Sequence, residues 1–266
     1  MGRGPPLERR VGAGDRDVEL VAGDRPGAHL LRIDGDDQSY VDLDDPTRLE
    51  FDYVRRMGDV LDVHGTPPGP LRVVHVGGAG LTLPRYVAAT RPGSVQVVLE
   101  PDEAVTALVR ERLPWPRRDR IKVRPVDGRA GLEQLRPSYA DVVVLDAYRD
   151  GTVPRELLTV DCFAVVARVL AGGGAFLLNL SDRAPFGHTR RAVAGLRAHF
   201  PRVMLSAEPA TLRARRAGNL LVVAGADGLP VAELRARVAA AALPYRVLDD
   251  DGVRSSFGGG VAFADP

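Results

Sequence analysis

The chain has 266 residues, 45% hydrophobic and 27% charged, the balance of a folded globular protein rather than a disordered one. Its 36 basic and 35 acidic side chains leave a net charge of +1, so the positive excess that grips nucleic acid or an anionic membrane is missing, and neither partner is expected. A single cysteine, Cys162, excludes an intrachain disulfide and any multi-cysteine metal site. Lys122 is the only lysine beside 35 arginines, a coding bias that lowers the information carried by any one arginine.

In chain order, residues 1–16 are polar and rich in glycine, proline and arginine, and are expected to be frayed, with no apolar core of a secretory signal. Val18–Val21, His29–Ile33 and Gln38–Leu43 read as short strands separated by turn signals. Asp45-Pro46-Thr47 then opens a helix with Leu49, Tyr53, Met57, Val60 and Leu61 at helical spacing. Residues 17–66 thus form a small antiparallel β-domain plus a connecting helix, and Thr66–Pro70 cannot continue a helix and reads as a linker. From residue 71 to 250 the pattern becomes strand–helix alternation. Strands are expected at Leu71–Val76, Val95–Leu99, Ile121–Val126, Ala140–Leu145 and Ala175–Leu180, with helices between them. Val203–Leu205 and Asn219–Ala224 read as an antiparallel edge pair, and Pro230–Ala242 as a helix. Strands apolar on both faces and alternating with helices predict a doubly wound, mostly parallel α/β sheet. Residues 251–266 read as a loose tail. The apolar run Ala164–Leu180 is broken by Arg168 and Gly172–Gly174, too short for a membrane span, and a cytoplasmic protein is expected.

An open parallel sheet binds ligands at the carboxyl ends of its strands. Gly77-Gly78-Ala79-Gly80 follows the first strand of the alternating region, and Glu100 follows the second, where a carboxylate accepts from ribose hydroxyls. Asp127-Gly128 follows the third, where an acid accepts from an adenine amino group, and Asp146-Ala147-Tyr148 follows the fourth. Each acid alone also reads as a helix N-cap, Glu100 and Asp127 above all. As an ordered set they fit an adenosine-containing ligand. No Gly-Lys-Ser/Thr follows the glycines, and Leu83 stands where a dinucleotide fingerprint has its third glycine. Phosphate is therefore not the expected cargo, and S-adenosylmethionine or a relative is.

These residues resemble the spermidine synthase family, the polyamine aminopropyltransferases, which carry a Rossmann-like class I methyltransferase fold. The likeness is carried by Ile33–Gln38, Glu50-Phe51-Asp52-Tyr53, Gly77–Gly80, Leu99-Glu100-Pro101-Asp102, Val126-Asp127-Gly128 and Val144-Leu145-Asp146. Asp146-Ala147-Tyr148, Val153-Pro154, Leu158-Thr159, Phe163 and Asn179-Leu180 resemble an actinobacterial branch of that family. The resemblance implies decarboxylated S-adenosylmethionine or S-adenosylmethionine as co-substrate, a small-molecule amine or other small acceptor, and a homodimer. It implies that Gln38 touches the nucleoside or its aminopropyl arm, that Gly77, Gly78 and Gly80 cradle the donor, that Glu100 holds ribose and Asp127 adenine. Asp146 would orient the attacking amine and Tyr53 would lie near the acceptor channel. Several acceptor positions depart from the family: Ala79 replaces an acid, Val54 a histidine and Arg149 a second acid, with Asp150 beside it. Asn179 and Ser181 replace Gln and Glu, with Asp182 beyond. A diamine dication needs several carboxylates, so weak or no activity with putrescine is expected. A small-molecule methyltransferase and a catalytically silent nucleoside-binding scaffold are the alternatives.

His75, inside an apolar strand, reads as a packed histidine, and Cys162 as core. His64, His188 and His199 are scattered with no carboxylate pair at metal spacing, so no metal is expected. Arg213, Arg215 and Arg216 read as a solvated loop, and Trp115 as a loop aromatic.

Overall fold

The computed structural model describes residues 7–13, 16–149, 151–240 and 244–265. Four strands come first: β1 (Leu7–Ala13), β2 (Arg16–Ala22), β3 (Ala28–Ile33) and β4 (Asp36–Asp42), paired antiparallel in that order. The described part of the expected frayed N-terminus is thus a strand; its arginines hide it from a hydrophobicity pattern, and its hydrogen bonds to β2 hold it. Residues 1–6 and 14–15 lie outside the described residues. Helix α1 (Asp52–Val63) starts later than Asp45, because Asp42 and Asp45 hold the preceding segment in turns by accepting from the backbone N–H groups of Asp44, Asp45 and Thr47.

The rest of the chain alternates. In order come β5 (Arg72–Val76), α2 (Thr82–Thr90), β6 (Val95–Leu99), α3 (Glu103–Arg112), β7 (Ile121–Arg124), α4 (Gly128–Glu133), β8 (Ala140–Leu145), α5 (Val160–Val169) and β9 (Leu170–Asp182). Then follow α6 (Gly187–Leu196), β10 (Arg202–Ala207), α7 (Pro209–Leu212), β11 (Gly218–Gly225), α8 (Val231–Ala240), β12 (Arg246–Leu248) and α9 (Asp250–Phe257). Among the described residues these strands make one eight-stranded sheet in the order β12-β10-β11-β9-β8-β5-β6-β7. The five strands from β7 to β9 are parallel; β11 runs antiparallel to β9, and β10 antiparallel to β11. This is a Rossmann-like, doubly wound α/β sheet with an antiparallel edge. The late strands are not simply an edge pair: β11 inserts beside β9, and β12, too short to read from the sequence, forms the edge.

Valines and leucines alternate between the two faces and build two cores. Val74, Val76, Val143 and Leu145 face α4, α5 and α6 with Phe163, Phe176 and Cys162; Val73, Val142 and Val144 face α1, α2 and α8 with Met57, Leu61 and Val87. Asp102, Asp127 and Thr159 cap α3, α4 and α5 by accepting from backbone N–H groups of the first turn. The expected loose tail is also corrected. Asp249 caps α9, and Val253, Phe257 and Phe263 are buried against the main core, apolar anchors spaced too widely to stand out in a glycine-rich stretch.

The strand order places β6 on one side of β5 and β8 on the other. That reversal is the topological switch point, where an open sheet leaves a crevice beyond its carboxyl ends. The four-stranded sheet closes this crevice from above. A third apolar cluster, with Val18, Leu20, Leu31 and Val41 against Leu81, Val98, Val105 and Leu108, joins it to β6 and α3.

Candidate active site

The crevice has an outer cavity and an inner cavity, sharing Gln38, Gly77, Gly78, Ala79, Asp146 and Tyr148 in their walls. The turn after β5 sits at the switch point itself. Gly77 has φ +85° and faces Asp146, whose carbonyl oxygen would lie 2.5 Å from any Cβ there. Only glycine fits this position, which brings two strand ends close enough to share one ligand. Gly80 has another role than the expected one. It lines neither cavity; its N–H donates to Ser39 Oγ at 3.1 Å and forms the seam with β4.

Glu100 stands in the outer cavity and is not a helix cap; Asp102 caps α3 instead. Glu100 Oε2 accepts from Gly78 N at 3.0 Å and Ala79 N at 3.2 Å, and Oε1 accepts from Asp102 N at 3.0 Å. The carboxylate therefore locks the glycine turn to the end of β6. Its capacity for about four hydrogen bonds leaves one acceptor site, on Oε1, for a ligand hydroxyl. Asp127 does cap α4, through Arg129 N at 2.8 Å and Ala130 N at 3.2 Å, and also lines the outer cavity with Gly128, Pro154 and Leu157. Arg16 and Arg149 stand at the rim of the same cavity, Arg149 in an ion pair with Glu156 at 3.2 Å.

Asp146 lies where the cavities meet. Asn179 Nδ2 donates to its Oδ1 at 2.9 Å, and the Tyr53 hydroxyl lies beside it. Burial pushes its carboxyl up to about 6, against the opposing pull of these two donors. The same burial, with Asp146 and Tyr148 close by, holds the Tyr53 hydroxyl well above the ordinary tyrosine range, so it stays a donor. Tyr148 completes the group, its hydroxyl donating to the Asn179 carbonyl at 3.3 Å. Asn179 Oδ1, sealed from solvent, has no partner among the described residues.

The structure thus brings Asp146, Tyr53, Gln38, Gly77 and Gly78 around the inner cavity, with Glu100 and Asp127 in the outer one. Asp182 is not free to help them: it accepts from Thr189 N, Thr189 Oγ1 and Arg183 N at the start of α6. Asp150 lies outside the described residues. His75 is a residue the sequence undervalues. It is buried as expected, yet it lines the inner cavity. Its position two residues before Gly77, on the strand that feeds the glycine turn, was the available signal. Trp115 is remote from the cleft wall, donating to the Ile121 carbonyl and stacking with Arg85 and Arg110. No helix among the described residues is long and apolar enough to cross a membrane.

Fold and crevice define the class: a Rossmann-like α/β fold of the methyltransferase type with an N-terminal β-sheet closing its cleft. More narrowly, the chain is similar to spermidine synthases and polyamine aminopropyltransferases. It superposes on a probable spermidine synthase from Corynebacterium glutamicum with a TM-score of 0.89 at 27% identity, covering 98% of this chain and 97% of that one. Spermidine synthase from Thermotoga maritima matches at TM-score 0.63 and 17% identity over 98% of this chain and 84% of that one, a likeness of fold alone. Human methyltransferase-like protein 13 in complex with SAH shares the fold at TM-score 0.57 and 23% identity, over 78% of this chain and 92% of that one. In sequence, the polyamine aminopropyltransferase of Chromobacterium violaceum is 27% identical over 143 residues, 53% of each chain. A probable polyamine aminopropyl transferase of Bifidobacterium longum is 34% identical over 83 residues, 31% of this chain and 18% of that one. The matched stretch thus spans about half the first relative's length and less of the second. No family model matches the chain.

Proposed function

We propose that the chain transfers the aminopropyl group of decarboxylated S-adenosylmethionine to a small amine. The observation that carries this reading is Asp146, a carboxylate held by Asn179, with Tyr53 beside it, at the junction of the outer and inner cavities. The residues present fit the donor. Glu100 offers its remaining acceptor site to a ribose hydroxyl, Asp127 its free oxygen to the adenine amino group, and Leu99, Val105, Pro154 and Leu157 give the base an apolar bed. When bound, the donor supplies a sulfonium whose neighbouring carbon is electrophilic.

The chain's own work is positioning and proton transfer. The inner cavity holds the amine in line with that carbon. As the carbon–nitrogen bond forms, the carbon–sulfur bond breaks and its electron pair stays on sulfur, giving a neutral thioether. Asp146 orients the amine and takes the proton the new ammonium sheds; a raised pKa makes it a better base than an ordinary carboxylate. The proposal includes a homodimer, which sedimentation checks.

A methyltransferase is the second reading, favoured by Ala79 in the donor cradle, where no carboxylate holds the donor's amine. One assay separates the two. Decarboxylated S-adenosylmethionine is supplied with a panel of amines, and methylthioadenosine release is followed. Release that disappears in Asp146→Asn, with methylthioadenosine binding retained, is the expected result. Tighter binding of S-adenosylmethionine than of its decarboxylated form, with no release, would favour methyl transfer. Putrescine is expected to be a poor acceptor: Arg149 stands at the rim and Asp182 is engaged elsewhere.

A further inference from the structure

His75 is a titratable group in the wall of the inner cavity that the chemistry above leaves unused. It stands on β5 and is 2% exposed. Its Nε2 lies 2.9 Å from Gln96 Oε1, and Gln96 Nε2 donates to the Pro84 carbonyl at 2.8 Å. A carbonyl only accepts, so Gln96 must turn its amide nitrogen to Pro84 and its oxygen to the histidine. The proton of the neutral ring therefore sits on Nε2. Nδ1 is left as an unprotonated acceptor. It has no hydrogen-bond partner among the described residues, and it is not one of the orphaned polar atoms sealed inside the protein, such as Asn179 Oδ1. Its outlet is the cavity that the residue lines.

Register fixes where that acceptor lies. His75 is opposite Val144 on β8, and Asp146 follows Val144 by two residues, on the same face of the sheet. From the strand rise and strand spacing, the two Cα atoms are about 8 Å apart, a gap that one nitrogen can bridge between two inward-reaching side chains. We infer that His75 Nδ1 is a second hydrogen-bond acceptor for the reacting amine, so that the inner cavity grips one amine head between Asp146 and His75. The remaining wall includes Phe51, Val54 and Leu83, which suit an apolar stem. The acceptor class is then a primary monoamine with an apolar stem, rather than a diamine. Burial keeps the imidazole neutral, its pKa pushed down to about 4, so His75 accepts from an ammonium without repelling it. This inference rests on the amine-acceptor reading given above.

The test is calorimetry on the full chain saturated with methylthioadenosine, titrated with n-butylamine and with putrescine. n-Butylamine is expected to bind more tightly than putrescine. His75→Leu is expected to weaken n-butylamine about tenfold or more, as for loss of a hydrogen bond to a charged group, with methylthioadenosine affinity unchanged. Should that variant not fold, the wild type answers through the ¹⁵N resonance of unprotonated Nδ1. That resonance persists in His75 down to about pH 5, and it is expected to move upfield on adding n-butylamine. An unchanged n-butylamine affinity in folded His75→Leu, or an unmoved Nδ1 resonance on a saturated protein, overturns the inference and leaves the proposed function standing. Tighter binding of putrescine overturns the monoamine class. Failure of both amines to bind, with methylthioadenosine bound, overturns the amine-acceptor reading and this inference with it.

Discussion

At the scale of single residues, Asp146 and His75 carry opposite pH signatures. Asp146 titrates at about 6 in the folded chain against an ordinary 3.8, so between those values the folded state binds the extra proton. Its contribution to stability is greatest below pH 4 and is lost as pH rises through 6. Asp146→Asn should therefore be more stable than wild type at about pH 7.5, by about 1–2 kcal/mol, and equal to it near pH 4. One side of the carboxylate faces the open crevice, so the gain falls short of the full shift. Urea unfolding at the two pH values checks this. In activity the sign reverses: kcat/KM should rise with pH through about 6 as the carboxylate ionises, and then level off. His75 runs the other way in stability, lowered from 6.5 to about 4, so its contribution is full above 6.5 and lost as pH falls through 4. Glu100→Gln weakens one charged acceptor in the outer cavity while keeping an amide oxygen for the glycine turn. Methylthioadenosine affinity should drop on the order of tenfold to a hundredfold by calorimetry, with the melting curve little changed.

At the scale of elements, α9 is a structural clasp. Phe257 packs against Phe186, with ring centroids 5.4 Å apart, and Phe257→Ala should cost about 3–5 kcal/mol in urea unfolding. This helix marks a limit of what the sequence discloses. The central strands β5, β6 and β8 were legible because each is apolar on both faces. The start of α1 was not, because Asp42 accepts hydrogen bonds from a turn that propensity alone reads as helix. β1 and β12 were missed because pairing, not apolar periodicity, makes them strands: β1 pairs in a hairpin with β2, and β12 with the distant β10. In the site, Glu100, Asp127 and Asp146 could be read because each follows a strand. For His75 only its place beside the glycine turn was legible; the tautomer of its ring was not, because Gln96 and Pro84 set it and are brought near only by the fold.

At the scale of the whole molecule, the cleft belongs to two sheets at once. Gln38, on the four-stranded sheet, is in the wall of both cavities, and the sheets meet at Gly80, Ser39 and Tyr40, where Thr82 Oγ1 also donates to the Tyr40 carbonyl at 2.8 Å. A Cβ on Gly80 would come within 2.7 Å of Ser39 Cβ. Gly80→Val should therefore push the smaller sheet away from the crevice. The expected result is weaker methylthioadenosine binding and faster proteolytic cutting between residues 43 and 51, with the circular dichroism of the main sheet unchanged. Retained affinity in that variant would show that the larger sheet holds the donor unaided.

The lone thiol turns this architecture into a clock. Cys162 is fully buried in the core beneath α5, and burial pushes its thiol up to about 12. An aromatic disulfide reagent therefore finds nothing to react with until that layer opens, when the thiol returns to its ordinary acidity. The rate of colour release then counts opening events in an untouched, unlabelled protein. Any small molecule that binds the closed form slows the count by one plus the ratio of its concentration to its Kd. Candidate donors and amines can thus be ranked by affinity before any turnover has been observed.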